Sequence, residues 1–123
     1  MTQAKDRINL KEKLALFDKL WTPKLVAKVN DTDIRLSKIQ GEFVWHRHDN
    51  TDELFLVLEG ELLLQLRDRD VRLRKGEMFV VPRGVEHKPV AEEEAHLMTI
   101  ELEGQPSTGN VLNERTVESP EWI

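Results

Sequence analysis

The sequence predicts an all-β sandwich or barrel preceded by a short N-terminal helix. Three observations carry that prediction. Between Lys24 and Leu102 the apolar residues come in runs of four to seven, parted by turn formers at near-regular spacing. The connections are short enough for hairpins, so the sheets should be mainly antiparallel. Before Pro23 the apolar period is helical instead. At 123 residues, with 39% hydrophobic and 33% charged residues, the chain has the composition of one ordinary soluble domain. A net charge of -5 without a basic stripe argues against nucleic acid as a partner. The absence of cysteine excludes disulfides, thiolate ligands and a cysteine nucleophile.

In order, residues 1 to 8 read as a polar, frayed end. Asn9 with Glu12 resembles a capping box, and Leu10, Leu14, Phe17 and Leu20 or Trp21 recur at helical spacing until Pro23. The expected helix spans about Leu10 to Leu20, with its stripe as a packing face. This gives an extension over 1–23, a barrel over 24–104 and a tail over 105–123. Strands are expected at 25–29, 34–39, 43–48, 53–58, 61–66, 71–74, 78–81, 85–90 and 96–102. The run Glu92-Glu93-Glu94 is expected to be a solvated turn. In the tail only Val111, Leu112, Trp122 and Ile123 offer apolar anchors, and the sequence does not say where they dock. The first residues, MTQAKDRINLKEK, are too charged for a signal peptide, and no apolar run approaches membrane-spanning length. A soluble, cytoplasmic protein with no membrane partner is expected.

One stretch, WHRHDNTDELF (45–55), concentrates the chemistry. In a strand, residues two apart share a face, so His46 and His48 direct both imidazoles to one side. Asp49 to Asp52 reads as a turn, and Glu53 opens the returning strand with a carboxylate. Downstream, Gly76 and Pro82-Arg83-Gly84 supply two more turns, and His87 follows on the next strand.

The spacing Gly41, His46, His48, Glu53, Gly60, followed by Gly76, Pro82, Gly84, His87, resembles the two signature motifs of the cupin superfamily. The similarity covers about Gly41 to Ala91. Two departures stand out. Four residues separate Gly41 from His46, one fewer than the motif has, and Ala91 stands where the motif has Asn. The resemblance implies a double-stranded β-helix, the jelly-roll cupin barrel. It also implies one divalent transition metal ion (Mn, Fe, Ni, Co, Cu or Zn) held by His46, His48, Glu53 and His87. With four protein ligands, an octahedral ion keeps two positions for water or substrate.

Strand parity extends the reading to a pocket wall. With Glu53 inward, Phe55 and Val57 follow; with His46 and His48 inward, Val44 follows. His96 and Met98 share a face of the last strand and are further wall candidates. Gln65 and Arg35 have no assigned facing, and Arg83 is expected in solvent. Leu54, Leu56 and Leu58 face away from Glu53 and need cover. That cover is the N-terminal helix or a second subunit, and a homodimer is expected.

Small single-domain cupins of this kind include isomerases, dioxygenases and cyclases acting on small organic molecules, and some resemble mannose-6-phosphate isomerase. No strand offers an inward pair of Arg or Lys for a phosphosugar. The apolar neighbours of Glu53 suit an aromatic or a small organic acid. The alternative is a ligand-binding or sensing module without turnover. No catalytic residue is assigned.

Overall fold

The computed structural model describes residues 6–123, so part of the expected frayed end lies outside the described residues. The helix α1 is Leu10–Leu14, where Asn9 Oδ1 accepts from the Glu12 N–H at 2.9 Å. It is shorter than the expected span to Leu20. A single turn has little stability of its own, and the residues beyond it are bound to a neighbouring strand instead. Lys38 Nζ donates to the Phe17 carbonyl at 2.6 Å, and the Trp21 N–H donates to the Lys38 carbonyl at 2.8 Å. Trp21 adopts φ 59° there, a conformation that no continuing helix allows.

Eight strands follow: β1 Lys24–Val29, β2 Thr32–Glu42, β3 Glu53–Glu59, β4 Glu61–Leu66, β5 Asp70–Arg74, β6 Met78–Val81, β7 His87–Leu102 and β8 Glu121–Trp122. Their order is β5-β4-β7-β2-β1-β8, with β3 also pairing β6 and β7. All pairings are antiparallel except β1 with β8. This is the all-β jelly-roll barrel expected. Among the described residues no helix is long and apolar enough to cross a membrane.

β7 is the spine. Its 16 residues replace the two strands and acidic turn expected over 85–102. β2 lies along one edge of it, while β4 pairs with His87 to Val90 and β3 with His96 to Ile100 along the other. Glu92, Glu93 and Glu94 fall between those two partners and are exposed, so they are solvated without being a turn. Register shifts at Ile39/Gly41 and Val57/Glu59 bend the sheet, doing the work expected of the turn. Gly60 lets the β3–β4 connection pass this bend: it has φ 83°, and a Cβ there would lie 3.0 Å from the Glu94 carbonyl.

Two apolar clusters result. Ile39, Phe55, Val57, Leu62, Leu64, Leu73, Val81 and Leu97 fill the barrel. On the other side of β1 and β2, Val26, Leu36 and Ile123 pack with Leu10, Leu14, Phe17, Leu58 and Met98. The tail is therefore part of the fold. Its end pairs with β1, the Ile123 N–H donates to the Leu25 carbonyl at 3.1 Å, and Lys13 Nζ donates to the Ile123 carbonyl at 2.7 Å. Ile123 is an anchor as expected, whereas Leu112 is 69% exposed and anchors nothing.

Candidate metal centre

The expected strand over 43–48 is absent, yet its histidines converge. Only His46 bridges to His87, each backbone N–H donating to the other's carbonyl at 3.0 and 2.9 Å. The Phe43 N–H meets the Pro89 carbonyl, so three residue steps from 43 to 46 face two from 89 to 87. That extra residue is a bulge, and it reverses the parity upstream of His46. Phe43 consequently lines the cavity, and Val44, the expected wall residue, is half-buried and does not.

His46, His48, Glu53 and His87 are all buried, and one ligand atom from each lies within 4.8 Å of the others. His46 Nδ1 and His87 Nδ1 sit 2.9 and 3.0 Å from the carbonyls of Val44 and Val85. Those acceptors put the proton on Nδ1 and leave each Nε2 with a lone pair toward the centre. Glu53 Oε1 approaches His48 Nε2 to 3.2 Å and His87 Nε2 to 3.6 Å. Even so, His48 Nδ1 and Nε2, Glu53 Oε1 and His87 Nε2 have no hydrogen-bond partner within the protein. Buried polar atoms left unpaired are costly, and three of these, His48 Nε2, Glu53 Oε1 and His87 Nε2, gather about the carboxylate with the donor chemistry of a transition-metal site.

Electrostatics agree with this. Burial, reinforced by the neighbouring His87, lowers His46 to about 4, which keeps the imidazole neutral as a ligand must be. Burial alone would raise Glu53, but the approach of His48 and His87 outweighs it and holds the carboxyl well below its usual range. Glu101 moves the other way. Burial first, and then the charge of Glu53, push it well above an ordinary carboxylate.

The cavity beside this cluster is open to solvent. Phe55 lines it, as expected from Glu53. Val57 is inward too, but belongs to the packed core of the barrel. His96 and Met98 are corrected: Leu97, Thr99 and Glu101 line the cavity instead. Met98 packs in the outer cluster, and His96 Nε2 lies 2.8 Å from Glu94 Oε2 on an exposed face. The phase of β7 is set by His87, whose inward face continues through Ala95, Leu97, Thr99 and Glu101.

Residue-by-residue reading missed an ionic group next to the centre. Arg35, 1% exposed, places Nη2 2.8 Å from Asp33 Oδ2 and Nη1 3.1 Å from Glu101 Oε1, and donates to the Gln105 carbonyl at 3.3 Å. The available signal was Asp33 and Arg35 two apart on a strand, a pair of charges sharing one face. Trp21, stacked on Phe43 with ring centroids 4.6 Å apart, completes the mouth with Pro23 and Pro89. Tail residues cross beside it. Ser107 lines the cavity, and a Cβ on Gly109 would lie 2.2 Å from the Arg47 carbonyl and 3.1 Å from His46 Cδ2.

Comparison with known proteins agrees with this geometry. Residues 35–102 match the model of the cupin domain. A cupin-2 domain-containing protein from Shewanella frigidimarina is 49% identical, with 77% of this chain and 93% of that one covered and a TM-score of 0.76. NMB1881 from Neisseria meningitidis is 34% identical, with 79% and 99% covered and a TM-score of 0.73. Among curated sequences, YdbB of Bacillus subtilis, an uncharacterized protein, is 41% identical over 64 residues, 51% of this chain and 57% of that one. The 3-hydroxyanthranilate 3,4-dioxygenase 2 of Aspergillus fumigatus is 34% identical over 68 residues, 50% of this chain but 32% of that one. The chain thus spans little more than half of the first of these curated relatives and a third of the second. With both motifs, the barrel and the family match in agreement, the chain belongs to the cupin domain family.

Proposed function

We propose that the protein binds one divalent transition metal ion through His46, His48, Glu53 and His87, and acts on a small organic molecule in the adjoining cavity. The observation that carries this reading is the convergence of four buried ligand atoms, three imidazole and one carboxylate, most of them without a partner in the protein. A metal held there supplies Lewis-acid or oxygen chemistry. The chain's own residues do the rest. Carbonyls of Val44 and Val85 fix two imidazoles, while Trp21, Phe43 and Phe55 form an aromatic wall.

Among the reaction types considered, isomerase, dioxygenase and cyclase, we favour dioxygenase. Partial similarity to 3-hydroxyanthranilate dioxygenases supports it, as does an aromatic-lined cavity suited to a flat ring. A sugar-phosphate isomerase fits less well. Arg35 is the one cation among the lining residues, and its guanidinium is already paired with Asp33 and held by Glu101.

The test is oxygen consumption by protein loaded anaerobically with Fe(II), then given aminophenols and catechols in air-saturated buffer. Uptake with at least one of them, absent without protein, is expected. Tight binding of such a ligand with no uptake by any metal form would replace the enzyme with the non-catalytic ligand-binding module.

We also propose that the chain forms a homodimer. Val80, Leu54 and Ile100 are laid side by side across the outer face of β6, β3 and β7, as are Met78, Leu56 and Met98. The helix and the tail cover that face over β1 and β2 and reach Leu58 and Met98, but leave Met78 and Val80 exposed.

A further inference from the structure

Glu101 is a buried acid with one oxygen accounted for and one not. Its Oε1 is held by Arg35 Nη1 at 3.1 Å, and Arg35 is itself fixed by Asp33. Its Oε2 is buried, has no hydrogen-bond partner, and lies 3.9 Å from His48 Nε2 on the wall of the cavity. It is not one of the four atoms that converge as a ligand set. An acceptor held in this way, beside a metal position, asks for a donor.

We propose that Glu101 selects the ligand: its Oε2 accepts a hydrogen bond from a hydroxyl or amino group adjacent to the atom through which the ligand reaches the metal. This rests on the metal reading above. The ligand class is a flat aromatic molecule carrying two neighbouring polar groups, one to coordinate and one to donate. Trp21, Phe43 and Phe55 supply the apolar surface for its ring. A site built around a buried acceptor rejects analogues that lack the donor, because the acceptor is then left unpaired.

In Glu101→Gln the amide oxygen must remain on Arg35, which only donates. The amide NH₂ then occupies the place of Oε2 and presents a donor to the cavity. The variant changes the polarity of the pocket at nearly constant shape.

The experiment uses the full chain loaded with Zn(II), which is redox-inert, with metal content measured in each sample. Dissociation constants for catechol and 2-fluorophenol, a near-isostere lacking the second donor, are read by calorimetry. The parent should prefer catechol by tenfold or more, as expected when a buried polar atom is otherwise left unpaired. In Glu101→Gln that preference should fall at least tenfold. Chelation of zinc by both catechol oxygens contributes to both proteins alike, so the change in ratio reports Glu101. A parent preference below tenfold overturns the proposal, whether or not the variant folds. So does an unchanged ratio in a folded, metal-loaded variant. Loss of zinc from the variant alone would make Glu101 a metal ligand and overturn its selecting role. A parent that holds no zinc would remove the metal reading itself.

Discussion

His46 is a base buried in neutral form, and its pH behaviour follows from that. Burial and His87 lower it to about 4 in the fold, against about 6.5 in the unfolded chain. Between those values the unfolded state binds the extra proton and the folded state does not. Stability of the metal-free protein therefore falls on acidification from about pH 6.5 to about pH 4, by on the order of 3 kcal/mol when fully expressed. Urea unfolding in the presence of a chelator checks this, with the slope reduced in His46→Gln. A midpoint that does not move between pH 7 and pH 5 would contradict it. At this scale the ligand set was legible through the spacing of the two motifs, although the strand expected over 43–48 is absent. Val44 was misplaced because the chain carries an extra residue between Phe43 and His46 relative to its partner. A bulge is a property of pairing, and one strand's sequence does not contain it.

The elements show where local reading stops. Seven of the nine expected strand segments lie within observed strands and an eighth, 85–90, overlaps the start of β7, since short apolar runs and turn residues are local signals. β7 was divided because Glu92 to Glu94 looks like a turn, and the division hid the phase that His87 imposes on Leu97, Thr99 and Glu101. The tail carried too few apolar residues to be placed from sequence. It is held by polar contacts: Thr108 is fully buried and shares a 2.6 Å hydrogen bond with Thr116, and Asn110 brackets Arg47 through its N–H and its Oδ1. Gly109 is the point of closest approach. In Gly109→Ala the added carbon meets the Arg47 carbonyl, so the strap must lift. We expect a loss of about 1–3 kcal/mol, with faster hydrogen exchange confined to residues 105–118. Unchanged exchange there would mean the strap is not seated on the ligand segment.

At the scale of the molecule, the helix and the C-terminal strand cover one part of the outer sheet and leave β6 uncovered. Met78 is 62% exposed and Val80 45%, both on β6, which pairs with β3 alone among the described residues. A second copy laid on this face accounts for an apolar strip that a monomer would expose. Light scattering at micromolar concentration should give twice the chain mass, and Met78→Lys with Val80→Lys should give a monomer that still holds metal. A monomeric parent would count against the interface. Within the barrel, His46, His48, Glu53 and His87 form the proposed metal site. Elemental analysis of protein purified without added metal or chelator tests it most directly, alongside His48→Ala. Close to one transition-metal ion per chain is expected in the parent, with most of it lost from a variant whose barrel remains folded. Parent protein free of metal, or equal metal in both, would contradict it.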